Sequence, residues 1–151
     1  MVAAEAGSAA KTGGLADAVW GLARALVAGE HGGAVDFLIH IVIPKYRSIE
    51  VGLAREVSSG TLRGIEPAEF KVLESQVDGI VLNYVESEPF SKRAGIYGDT
   101  ANHDYGGMHL TPVHPICSVI AWRFFRKHWG SSRRGLPSLL AKRVRLCALQ
   151  T

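Results

Sequence analysis

The sequence predicts an α/β fold built on a Rossmann-like parallel sheet. Three observations predict it. A glycine pair stands directly before an amphipathic helix, an apolar run stopped by a proline follows that helix, and an apolar stub precedes the glycines. Stub, glycine loop, helix and buried strand make a βαβ unit, the first step of a doubly wound sheet.

The elements follow in order. Val2-Ala3-Ala4 is a strand stub and Glu5-Ala6-Gly7-Ser8 a turn. Lys11-Thr12-Gly13-Gly14-Leu15-Ala16-Asp17 then sets a cation, a hydroxyl and two glycines at a helix start. Paired glycines let a backbone approach a ligand and adopt angles other residues resist. A helix start adds orphan N–H donors and a partial positive charge. Together with Lys11 these hold an anion such as phosphate. A glycine pair before a helix also serves plain tight turns, so both readings stand at this point. Neither G-x-G-x-x-G nor the Walker pattern is present, so nicotinamide and P-loop chemistry are not indicated.

Leu15, Val19, Leu22 and Leu26 recur on one helical face, with alanines between them. Asp17 suits the helix dipole in the first turn, and Gly29 is the expected stop, followed by the loop composition Glu30-His31-Gly32-Gly33. Val35 to Ile43, stopped by Pro44, reads as a buried parallel strand. The middle, Arg47 to Asp78, has few signals; Glu66-Pro67 to Leu73 is expected to start a short helix. The apolar run Ile80 to Val85 leads to Glu86 and Glu88, which share one strand face if the strand continues. A hydrolase would need such carboxylates in a cleft, and an exposed strand end is the plainer account. His40 on an apolar strand reads as a core histidine. The other histidines (His31, His103, His109, His114, His128) have no metal-ligand spacing with a Cys pair, so no metal is expected.

Three motifs in one order carry a family resemblance. They are Ala4-Glu5 followed by Lys11-x-Gly13-Gly14-Leu15-x-Asp17, then Pro44-Lys45-Tyr46, then Arg93-Ala94-Gly95-Ile96-Tyr97-Gly98 after Glu86-Ser87-Glu88-Pro89-Phe90. Over roughly residues 2–105 the chain resembles the bacterial glycogen synthases and plant starch synthases. The resemblance implies an incomplete N-terminal half of a GT-B type glycosyltransferase, in which two Rossmann-like domains face across a cleft. It implies glucose transfer, with retention, from ADP-glucose to the end of an α-1,4-glucan, with no cofactor. Lys11 occupies the position of the family lysine that contacts the nucleotide sugar, and Gly13 and Gly14 would let the loop close over phosphates and glucose. Asp17 and Tyr97 are candidates for the sugar and acceptor side; each also has a plain structural role, as a helix-dipole residue and a half-buried aromatic. ADP-glucose and an α-glucan are the implied partners, not a membrane, and nucleic acid is disfavoured.

The chain also departs from that pattern. The junction before Pro44 is longer and the opening strand is truncated. After Tyr105 no family motif is visible. Residues 1–104 carry nine basic and fourteen acidic residues, and residues 105–151 carry eight basic and none acidic, so a formal −5 is joined to a formal +8. The expected division is a partial glycosyltransferase domain, 1–105, and a divergent basic tail, 106–151. Three readings of the tail stand: a shifted reading frame, a basic segment meeting an anionic partner through Trp122 to Trp129, or amphipathic helices over 116–129 and 136–149.

At 151 residues the chain is one domain at most, whereas two Rossmann domains need far more. The family's second domain holds most of the donor site, so the chain alone is expected to be inactive. No transmembrane run and no secretory signal is read. The two cysteines, Cys117 and Cys147, make no disulfide framework, and a cytoplasmic setting is expected.

Overall fold

The structure, a computed structural model, describes residues 1–7, 9–29, 37–62, 67–93, 95–100 and 103–104. Helix α1 (Gly14–Val27) is followed by β1 (Ile39–Pro44), β2 (Arg55–Leu62), β3 (Ala68–Val77), β4 (Ile80–Ser87), the single turn α2 (Glu88–Ser91), β5 (Gly98–Thr100) and β6 (His103–Asp104). The loop 30–33, the start of the expected strand at Val35, and every tail expectation lie outside the described residues.

The main sheet has the order β1-β4-β3-β2. β1 and β4 are parallel, from Ile39 against Ile80 to Pro44 against Val85. The opening stub lies on the other side of β1: Val2 bridges Val42 in parallel, with Ala3 N–H donating to the Val42 carbonyl at 3.0 Å. Stub, α1 and β1 therefore form the expected βαβ unit. β1 and β4 are buried along nearly their whole length, as strands covered on both faces must be. Each fully buried isoleucine or valine there (Ile41, Ile43, Ile80, Val85) contributes about 1.5–3 kcal/mol.

The connection from β1 to β4 refines one expectation and corrects another. The sheet is mixed rather than wholly parallel, because β2 and β3 are inserted as antiparallel strands. The helix expected over Glu66 to Leu73 is not formed; Ala68–Val77 is strand β3. Its burial alternates, with Phe70 and Val72 inside and Glu69 and Lys71 outside. That period of two beats the helix-start signal of Pro67. Asp78-Gly79, with φ 52° and 76°, closes β3 onto β4 as a two-residue hairpin turn. On edge strand β2 a register irregularity between Glu56 and Ser58, with the Arg55–Glu74 and Glu56–Lys71 ion pairs, blunts the exposed side.

α1 covers one face of the sheet, over Ile39, Ile41, Ile43, Tyr46, Ile80, Leu82 and Tyr84. The predicted face is rotated. Ala16 and Ala23 are fully buried, Val19, Trp20 and Leu26 pack beside them, and Leu15 and Leu22 stay exposed. Alanines let the helix axis approach the sheet, so the contact line runs through the small residues rather than the leucines. The helix stops at Gly29 as expected, with φ +75°. The opposite face holds Val42, Phe70, Val72, Val85 and Phe90.

Candidate functional site

In open α/β sheets ligands bind beyond the carboxyl ends of the parallel strands. Three such ends lie side by side here: the stub ending at Ala4-Glu5, β1 ending at Pro44, and β4 ending at Ser87. The glycine loop grows from the first. A bridge between Ala6 and Ala10 closes a tight loop, and Lys11-Thr12-Gly13 lead into α1. Gly7 makes this loop possible. Its φ is +55°, and a Cβ there would lie 3.0 Å from the Trp20 ring.

Glu5 organises the loop. Its side chain is buried, with the residue 1% exposed. Oε2 accepts from the Thr12 N–H at 2.7 Å and the Gly13 N–H at 3.1 Å, and Oε1 accepts from the Thr12 hydroxyl at 2.8 Å. The Tyr97 hydroxyl donates to the same carboxylate. Burial works to raise the Glu5 pKa, but these donated bonds together outweigh it and hold the carboxyl below its ordinary value. Tyr97 is shifted the other way: burial first, then the bond to Glu5 and its charge, push the phenol up to about 12.

The residues expected at the site are placed as follows. Lys11 Nζ donates to Asp17 Oδ1 at 2.7 Å in an exposed ion pair, so the two candidates sit together at the helix start. Gly13 and Gly14 are exposed, and a Cβ added to either would meet nothing within 4 Å. The expectation of unusual backbone angles is corrected for Gly13, whose φ of −156° is extended. What these glycines leave is open space above the loop. Gly13 stands at the N-cap position with no side-chain cap on α1. Tyr97 is half-buried and joined through Glu5 to the loop. Its segment is tightly turned, because a Cβ at Gly95 would run into the Gly98 carbonyl. The Arg47 N–H donates to the Arg93 carbonyl at 3.1 Å, tying that segment to the chain beyond β1.

Other expected features resolve as structure. Tyr46 of the Pro-x-Tyr motif is a core residue, 1% exposed. Glu86 and Glu88 do not share a strand face, since β4 ends at Ser87 and Glu88 opens α2. Glu86 pairs with Lys45 at 3.6 Å and Glu88 with Lys92. His40 is half-buried on β1, with Nδ1 at 3.3 Å from the Asn83 amide nitrogen.

Sequence reasoning quoted Glu5 as a motif residue but assigned it no role, and counted the Thr12 hydroxyl among the loop's groups without joining it to Glu5. A signal existed: Glu5 is the one charged side chain among the first ten residues, set between alanines. An acid in so apolar a stretch must find donors when it is buried.

Comparison with known proteins shows what the chain is similar to. The family model "Starch synthase catalytic domain" matches residues 1–122. A glycogen synthase of Bordetella bronchiseptica is 34% identical over 107 residues, covering 70% of this chain and 21% of that protein. A glycogen synthase of Clostridium botulinum (strain Eklund 17B) is 31% identical over 146 residues, covering 94% of this chain and 29% of that protein. The catalytic domain of starch synthase IV from Arabidopsis thaliana, bound to ADP and acarbose, superposes with a TM-score of 0.51 at 25% identity over 64% of this chain and 20% of that one. The chain thus spans between a fifth and a third of the length of these relatives.

Proposed function

The chain belongs to the starch synthase catalytic domain family, and on that premise we propose that it carries the first-domain side of an ADP-glucose-dependent α-1,4-glucan synthase site. One observation carries the proposal. Lys11 and Gly13 at the end of the loop stand beside Gly14 and Asp17 in the first turn of α1, and Tyr97 is bonded to the carboxylate that orders the loop.

The chemistry follows from that loop. Glucosyl transfer builds negative charge on the departing diphosphate, which is stabilised by positioned cations and backbone donors. The Thr12 and Gly13 N–H groups are engaged by Glu5, so the donors offered to the diphosphate are Lys11 and the uncapped first turn of α1. Lys11 reaches the ligand by leaving Asp17, and an exposed pair of that kind opposes the change by only about 0–1 kcal/mol. Once released, the Asp17 carboxylate accepts from sugar hydroxyls. Gly13 and Gly14 let the donor lie against the backbone.

Most of the donor grip belongs to the second domain in this reading, and the 151-residue chain alone is proposed to transfer no glucose. The proposal divides the chain into a partial glycosyltransferase domain, 1–105, and a divergent basic tail, 106–151. Because the family match runs on to residue 122, the tail is read as divergent family sequence rather than a shifted frame. Among the described residues no helix is long and apolar enough to cross a membrane, and a cytoplasmic setting is proposed. Titration calorimetry with ADP-glucose tests the function. Saturable binding that Lys11→Ala weakens supports it and no binding goes against it; glucose incorporation by the chain alone would overturn only the proposed inactivity of the isolated chain.

A further inference from the structure

Glu5 is a buried carboxylate that the proposed transfer chemistry does not use. It sits in the core end of the loop, away from the open space above Gly13 and Gly14. Its partners come from two distant parts of the chain. Thr12 and Gly13 follow it by seven and eight residues, while Tyr97 belongs to the segment beyond α2. Both carboxylate oxygens are engaged, Oε2 by two backbone N–H groups and Oε1 by the Thr12 hydroxyl. The base of the loop is held by the Ala6–Ala10 bridge and by the Gly7 N–H to Ala16 carbonyl bond, whereas residues 11–14 have few side-chain ties of their own. Gly13 and Gly14 carry no side chains, and Lys11 and Asp17 are joined by an exposed ion pair.

We propose that Glu5 is a positioning residue that locks the glycine loop to the Tyr97 segment, so that the donor-side cation and the acceptor-side tyrosine are set as one unit. The inference rests on the proposed function for the words donor and acceptor, but the coupling itself is a property of the ligand-free chain. A loop that opened independently of Tyr97 would lose its ordering entropy again at each binding event. Tying both segments to one carboxylate places that cost in folding. The same arrangement lets a ligand on either side favour the other side, since each fixes the position of the carboxylate that both segments share.

Amide hydrogen exchange of the 151-residue chain, read residue by residue by NMR, tests this without any ligand. Tyr97→Phe removes one hydroxyl far from the loop in sequence. It is expected to speed exchange at Thr12 and Gly13 by roughly three- to tenfold, the worth of one hydrogen bond, while the β4 ladder amides stay unchanged. Glu5→Ala is expected to speed the same two amides by about tenfold or more, because it removes a charged acceptor. Glu5→Gln keeps an oxygen for them and should restore most of their protection. Thr12 and Gly13 exchange unaffected by Tyr97→Phe would overturn the coupling, as would loss of protection spread equally over the β4 ladder. If Glu5→Ala does not fold, Tyr97→Phe still decides. ADP is the probe for a second arm: Tyr97→Phe should weaken it several-fold through the loop. Failure of the unaltered chain to bind ADP would count against the proposed function and leave the exchange result to judge Glu5.

Discussion

Replacing Lys11 by alanine separates the functional reading of the loop from a structural one. Lys11 and Asp17 meet at 2.7 Å, but their side chains are 48% and 64% exposed. Pairs that open to water contribute about 0.2–1 kcal/mol, and the first turn of α1 keeps Asp17 as its favourable charge. Lys11→Ala should therefore lower the unfolding free energy measured in urea by less than about 1 kcal/mol. Against a diphosphate the same ammonium makes a charge-assisted hydrogen bond worth about 1.5–3 kcal/mol, so ADP affinity should fall roughly ten- to hundredfold. Calorimetry with ADP and with ADP-glucose, beside urea unfolding of each variant, reads both quantities. Asp17→Ala is the internal control. It frees Lys11 and should leave ADP binding equal or tighter, yet weaken ADP-glucose if Asp17 holds the sugar. Unchanged ADP affinity in Lys11→Ala, or a loss matched by an equal loss of stability, would refute the assignment.

Four further outcomes follow from the same geometry. Gly13→Ala meets nothing within 4 Å, so stability should stay within about 0.5–1 kcal/mol by unfolding while ADP-glucose affinity drops, because the methyl enters the space left for the ligand. Gly7→Ala should cost about 1–3 kcal/mol in a denaturant titration, since φ is +55° and the Trp20 ring stands 3.0 Å from the new Cβ. The Glu5 carboxyl is held below its ordinary 4.5, so its contribution to stability is full above that value and is lost as pH falls through the lower folded one. Tyr97, raised from 10.0 to about 12, contributes fully below 10 and loses its contribution as pH rises through 12. Stability measured from pH 7 downwards should fall less steeply in Glu5→Gln than in the unaltered chain; equal slopes would remove Glu5 from the account.

Much of the fold was legible. The glycine loop, the first helix with its stop at Gly29, and the buried strand ending at Pro44 each carry a local signal. The α/β expectation, as an incomplete N-terminal half of a GT-B type enzyme, holds with a mixed sheet. β3 was misread because Pro67 resembles a helix start, whereas the alternation of Phe70 and Val72 with charged neighbours resolves only against β4. The Asp78-Gly79 hairpin was a readable signal that went unused. The helix face was half right: periodicity locates a stripe, but which side of it touches the sheet depends on how closely Ala16 and Ala23 let the two approach.

The sequence by itself determined the family, the loop and the side chains proposed to bear the chemistry, because residue identity and short spacing are local properties. It did not determine how Lys11, the glycines and Tyr97 are held together. That was decided by tertiary structure, through one buried carboxylate whose need for donors draws in groups from both ends of the described chain.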